Sequence, residues 1–207
     1  NFGDVRVESD SIMALTVFNQ GGVELQVEST EISGTDALDF DIVSGEGSFS
    51  IPPGGEDSHT IEIKFSPASL ERKTADLKIV SNDPFEEILN IPLSGNGVLP
   101  EIFSFPRELD FGTTLVEQDS IRSVGIQNRG TSKLTVDSMR MAGQDPENFS
   151  VVGLQSFTIL PDDTARKILV KFTPKSVNDK SAYLLIYSND PNNTPDSIRL
   201  TGKGVIS

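Results

Sequence analysis

The sequence predicts an all-β protein made of two tandem copies of one β-sandwich domain. Three observations predict it. The chain repeats itself in order, its apolar residues alternate with polar ones at period two, and Gly, Pro, Asn and Asp clusters break that alternation with no sustained helical period between them.

The repeat comes first. Asn1-Phe2-Gly3 matches Asp110-Phe111-Gly112 at an offset of 109, which also pairs Asn19 with Asn128, Gly21 with Gly130, Leu25 with Leu134 and Phe40 with Phe149. After two single-residue slips the offset is 107. There Phe65-Ser66-Pro67 meets Phe172-Thr173-Pro174, Ser81-Asn82-Asp83-Pro84 meets Ser188-Asn189-Asp190-Pro191, and Gly95-Asn96-Gly97-Val98 meets Gly202-Lys203-Gly204-Val205. The boundary falls between repeat 1, residues 1–99, and repeat 2, residues 100–207. Each has the usual size of a single domain.

The strands follow from alternation. Ile61, Ile63 and Phe65 alternate with polar residues, as do Ile168, Val170 and Phe172; Ala75, Leu77 and Ile79 recur as Ala182, Leu184 and Ile186. That pattern marks strands with one buried and one wet face. About seven strands per repeat are expected, the usual number for an immunoglobulin-like sandwich. The turns have mechanical readings. Gly21 and Gly130 are expected to supply a positive φ in a hairpin. Pro52-Pro53-Gly54-Gly55 makes a loop, and Asn82 closes an Asx-turn before Pro84.

Repeat 2 has Pro100-Glu101-Ile102-Phe103-Ser104-Phe105-Pro106 ahead of its Asp-Phe-Gly, a first strand kinked at Pro106. Repeat 1 opens directly on Asn-Phe-Gly, so this strand has no counterpart there. The expectation is a less stable repeat 1 whose open edge pairs with another chain. The short junction Gly97-Val98-Leu99-Pro100 leads us to expect an end-to-end rod with limited bending.

Composition limits function. Residues 1–99 hold 5 Lys/Arg and 18 Asp/Glu, residues 100–207 hold 12 and 13, and the chain carries −14. Such a surface repels nucleic acid and anionic membrane, so neither is expected as a partner. No apolar run reaches the roughly 18 residues a spanning helix needs, so no direct membrane insertion is expected. Neither Cys nor Trp is present, which excludes disulfides, thiolate metal sites and the antibody-type core. With no initiator Met and no leader pattern, the chain reads as part of a longer one.

The series Phe-Gly, Asn-x-Gly, Leu-x-Val, Ser-Gly-x-Asp-x-x-x-Phe, Pro-Gly, Phe-x-Pro, Ser-Asn-Asp-Pro and Leu-x-Gly-x-Gly-Val resembles the ASH (hydin-type) domain. In bacterial proteins it is similar to the repeats of choice-of-anchor D surface proteins. The resemblance implies an immunoglobulin-like sandwich similar to the major sperm protein. Repeat 1 carries the pattern from Phe2 to Val98. In repeat 2, Ala142 stands in place of Ser33, and Asp162-Asp163 in place of Gly54-Gly55. Bacterial members of the family look like parts of surface or secreted proteins; eukaryotic members are associated with cilia and centrosomes. The wording of Ser33 to Phe40 is nearer the bacterial style and implies an extracellular or cell-surface location, the alternative being cytoplasmic and cilium-associated. The family pattern contains no catalytic residue.

No residue set emerges as catalytic, cofactor-binding or metal-binding, and no cofactor is expected. The one histidine, His59, aligns with Arg166 and reads as a solvated loop residue, not as part of a Ser-His-Asp site. Calcium would need oxygen ligands, for which Asp83, Asp190, Asp36, Asp39 and Asp41 are the candidates, but no EF-hand spacing is present. Gly95-Asn96-Gly97 lacks the third glycine and the helix of a dinucleotide site. Asn148-Phe149-Ser150 and Asn192-Asn193-Thr194 have the glycosylation pattern. Glu24 and Glu31 align with Lys133 and Arg140, so Arg122, Arg129, Lys133 and Arg140 are candidates for a basic strip that contacts a protein partner. With Tyr183 and Tyr187 as the only tyrosines, an aromatic glycan platform is not favoured. The expected function is therefore a non-catalytic structural or spacer module of a larger surface or secreted protein, the alternative a protein-binding or adhesion module.

Overall fold

The computed structural model describes residues 1–206 and divides into two compact units, Asn1–Val98 and Leu99–Ser207. Each is an all-β, immunoglobulin-like sandwich of two sheets around one core.

Unit 1 has eight strands: β1 (Asp4–Arg6), β2 (Ser11–Phe18), β3 (Leu25–Ser33), β4 (Phe40–Ser44), β5 (Phe49–Ile51), β6 (Ser58–Phe65), β7 (Glu71–Ser81) and β8 (Ile88–Val98). One sheet runs β1-β8-β7-β3-β5 and the other β2-β6-β4. Unit 2 has β9 (Ile102–Phe105), β10 (Glu108–Leu115), β11 (Ser120–Asn128), β12 (Leu134–Ala142), β13 (Phe149–Val152), β14 (Phe157–Ile159), β15 (Arg166–Phe172), β16 (Asn178–Ser188) and β17 (Asp196–Val205). Its sheets run β10-β17-β16-β12-β14 and β13-β15-β11-β9. The counts of eight and nine exceed the seven expected. The surplus comes from three-residue strands such as β5 and β14, too short to show alternation, and from the break at Pro106 that sends β9 and β10 to different sheets.

Alternation places the core. Ile61, Ile63, Phe65, Leu77 and Ile79 in unit 1, and Ile168, Val170, Phe172, Leu184 and Ile186 in unit 2, are all buried. Three rings form the centre of each unit. Phe40 stacks on Phe65 with centroids 4.8 Å apart and Phe2 tilts against both; Phe149 stacks on Phe172 at the same 4.8 Å and Phe111 tilts against both. Gly95 and Gly202 make room for this arrangement, since a Cβ on either would meet the ring of Phe65 or Phe172.

Two turn readings are corrected. Neither Gly21 nor Gly130 has a positive φ, so a left-handed turn does not explain the glycine at either position. In Asn82-Asp83-Pro84 it is Asp83, not Asn82, that closes the Asx-turn, its Oδ1 accepting from Phe85 N at 2.9 Å. Asn82 instead clamps two segments, accepting from Gln26 N at 2.8 Å and donating to the Glu24 carbonyl at 3.1 Å. Asn189 repeats that clamp on Thr135 and Lys133.

Candidate functional site

His59 lies within β6 and not in a loop. Its ring stacks on Phe49 at 3.6 Å between centroids, and Nε2 sits 3.0 Å from the Gly45 carbonyl oxygen. The counterpart Arg166 covers Phe157 in the same way, with Cζ 4.5 Å from the ring centroid. A flat polar group at this position shields the aromatic residue of the short edge strand. That shared role explains why histidine and arginine interchange here, and neither is aligned on a nucleophile.

The carboxylates proposed as calcium ligands are spent on the fold. Asp36 Oδ2 accepts from Thr74 N at 2.9 Å, Asp39 Oδ1 from Ala68 N at 2.7 Å, and Asp41 faces Lys64 at 3.5 Å. Among the described residues no group of three or more Asp, Glu or His is placed to hold a metal ion. Asn148 is buried and binds the Asp145 carbonyl and Lys175 N, so its glycosylation pattern marks a structural asparagine. The carboxyl of Asp119 is displaced downward from its ordinary range. The Thr173 hydroxyl donates to it at 2.6 Å and Lys171 Nζ stands 3.3 Å away, and together they hold it below the usual value.

The expected basic strip does not form as one face. Arg122 is on β11 and Arg140 on β12, which belong to different sheets. Arg129 lies 3.2 Å over the Phe103 ring and Arg140 5.5 Å over Tyr187, so both cations cover aromatic carbon. Sequence offset alone aligned these residues; it carried no information about which sheet each strand joins.

The largest difference between the units lies where β9 runs. In unit 2, β9 pairs antiparallel with β11, Ile102 opposite Asn128 and Ser104 opposite Ile126. The segment leading into it is tied down at several points. Arg129 N donates to the Glu101 carbonyl, Thr131 N and Ser132 N donate to the Leu99 carbonyl, and Ile102 N donates to Asp190 Oδ2 at 2.9 Å. Ser104 donates to buried Asp196, which also pairs with Arg107. A Cβ on Gly130 would strike the Leu99 carbonyl oxygen and lie 2.5 Å from Glu101 N. Close passage of a backbone is therefore the reason for that glycine.

In unit 1 no strand lies on the outer edge of β2 among the described residues. The consequences read residue by residue. Val124 and Ile126 are fully buried, whereas their counterparts Leu15 and Val17 are only half-buried. Leu134 and Ile198 are fully buried, whereas Leu25 and Ile91 are not. Phe18, Asn19, Gly21, Val23, Asp83 and Phe85 line an open groove of about 630 Å³ where unit 2 holds Leu99 to Ile102. Phe85 is 97 % exposed and Val23 73 %. The sequence pattern predicts this edge but not the groove beside it, because in sequence Gly21 reads equally well as a turn glycine and only its backbone conformation removes that reading.

A family model described as HYDIN/CFA65/VesB-like, Ig-like domain matches residues 101–204. No curated protein matches the chain in sequence. Among solved structures, a protein of unknown function from Porphyromonas gingivalis W83 shares 15% identity with a TM-score of 0.41, over 96% of this chain and 93% of that one. PapD-like domain 7 of human CEP192, an ASH domain, shares 13% identity with a TM-score of 0.41, over 53% of this chain and 88% of that one. A C. elegans major sperm protein family member, WR4, shares 10% identity with a TM-score of 0.33, over 50% of this chain and 97% of that one. VesB of Vibrio cholerae, whose name the family carries, is a protease.

Proposed function

We propose that this chain, which belongs to the HYDIN/CFA65/VesB-like, Ig-like domain family, serves as a pair of non-catalytic structural or spacer modules in a larger bacterial surface or secreted protein. One observation carries the reading. What the two units share is core and turn: the Phe triad, the Asn19 and Asn128 turns, and the Asn82 and Asn189 clamps. The polar residues that are shared, Asp83 with Asp190 and Asp36 with Asp145, accept from backbone amides, while others are exchanged, His59 for Arg166, Glu24 for Lys133 and Glu31 for Arg140. Duplication that keeps the scaffold and lets the polar surface drift is what a load-spacing role requires. Family membership alone does not supply the non-catalytic half of the reading; the structural use of His59 and of Asp36 and Asp39 supports it.

The test has two arms. Intact source cells are labelled with a membrane-impermeant reagent and the parent protein is recovered with antiserum to this chain, while the purified chain is assayed on casein and on polysaccharides. Surface labelling without turnover is expected. A wholly unlabelled pool, or turnover lost on His59→Ala, would overturn the reading.

A further inference from the structure

We infer that the outer face of the unit 2 sheet β13-β15-β11-β9 is a docking surface for an acidic segment of a protein partner, one that carries large apolar side chains. The inference goes beyond the spacer reading and does not depend on it.

Charge singles this sheet out. The chain carries −14, yet none of the strands β9, β11, β13 and β15 contains Asp or Glu. They contain Arg122, Arg166, Lys167 and Lys171. Burial alternates along β15, with Ile168, Val170 and Phe172 inward, so Lys167, Leu169 and Lys171 face outward. Asp119, just ahead of β11, offsets Lys171 at 3.3 Å, and Lys167 keeps the face cationic.

Between these cations the face is apolar. Strand register sets Val152 opposite Leu169, Ile121 opposite Lys171, and Phe105 opposite Gly125, whose other neighbour is Lys167. Gly125 lets the Phe105 ring lie across the sheet, since a Cβ there would fall 2.6 Å from it. Each of the four strands thus contributes one large exposed apolar side chain to a single band: Phe105, Ile121, Leu169 and Val152.

The sandwich itself does not ask for this surface. At the corresponding positions of unit 1, Leu169 becomes Glu62, Lys167 becomes Thr60, Gly125 becomes Thr16 and Ser150 becomes Asp41. The openness of the face is also independent of how the sheet edge is filled. Ile121 and Val152 are 52 and 41% exposed with β9 in place, and their counterparts Ile12 and Val43 are 55 and 40% exposed without such a strand.

The composition selects the occupant. Desolvating the apolar band supplies affinity, and the lysines favour a partner of opposite charge. Aliphatic side chains on a flat sheet give a sugar neither a cleft nor a pair of rings, because Phe103 is covered by Arg129 and Phe105 alone is left to stack. The charge of −14 opposes an anionic bilayer. An acidic protein segment with large apolar side chains meets both features of the face.

The probe is a phage-displayed library of random dodecapeptides, cleared on the chain carrying Lys167→Thr and Leu169→Glu and then selected on the unaltered chain. Both substitutions install the residue that unit 1 carries in the same strand. Enriched peptides should place Asp or Glu beside Leu, Ile, Phe or Trp. Synthesised and labelled, they should bind one-to-one in fluorescence anisotropy, and at least about tenfold more weakly to the doubly altered chain. Their affinity should fall as sodium chloride is raised. Ile121→Ser, at an exposed position, should weaken them at least about threefold, and it replaces the double variant in both steps should that one misfold. No enrichment, enriched peptides without acidic residues, or equal binding to the altered chains would each overturn the inference. So would sedimentation of the chain with phosphatidylglycerol vesicles that is lost in the same variants, since the face would then serve a lipid surface.

Discussion

The two units have the same centre and different edges. The Phe40–Phe65 and Phe149–Phe172 stacks agree to the printed 4.8 Å, yet Val124 and Ile126 are sealed beneath β9 while Leu15 and Val17 remain half-open. A sandwich core is thus fixed by a few inward residues whose partners lie in both sheets. Its margin depends on whether every edge position is filled. One extra strand of four residues closes the core in unit 2, satisfies Asp190 and Asp196, and gives Gly130 its reason.

If the centres are equivalent, deleting either one should cost the same. Phe65→Ala and Phe172→Ala each remove a fully buried ring. Each is expected to destabilise its own unit by about 3–5 kcal/mol in denaturant titration, with two resolved transitions. A large inequality would mean that the cores differ beyond the edge.

The edges should respond unequally. Gly130→Ala forces Leu99 and Glu101 away from their amide partners and is expected to cost unit 2 about 1–3 kcal/mol, seen as a fall in melting temperature of about 4–8 °C per kcal/mol. The corresponding Gly21→Ala is expected to stay within about 0.5 kcal/mol in the free chain. Equal penalties would break the comparison, because glycine would then serve the turn itself.

The smallest effect concerns Asp119. Its carboxyl is held below the ordinary value first by the Thr173 hydroxyl and then by Lys171. A folded-state pKa below the unfolded one stabilises above the unfolded pKa and is lost as pH falls through the folded one. Asp119→Asn should therefore lower the melting temperature of unit 2 slightly at neutral pH, and the gap should narrow and close as pH falls below the ordinary aspartate range. An unchanged gap in acid would mean that the aspartate acts through shape and not through charge.

Much of the fold was legible because a period-two pattern reports directly which side of a strand is buried. Ile61, Ile63 and Phe65 are inward as that pattern requires. What the pattern cannot report is which sheet a strand joins, and so the sequence groups Arg122 and Arg140 in one strip that the sheets separate. Three residues such as Phe49–Ile51 carry no measurable alternation, so strands this short do not show in the sequence pattern. The polar residues ahead of His59 predict a loop there, whereas stacking on Phe49 holds it in a strand. A glycine is ambiguous in sequence. It permits a positive φ or it permits close approach, and only the backbone at Gly21 and Gly130 separates the two.

The account rests most directly on the open edge of β2, and residue-resolved amide hydrogen exchange on the full chain tests it. The edge-facing amides of Leu15–Phe18 should exchange at least about tenfold faster than those of Val124–Gln127 in the chain Asn1–Ser207. Equal protection of the two strands in the free chain would contradict the account, since the outer edge of β2 would then be as fully covered as that of β11.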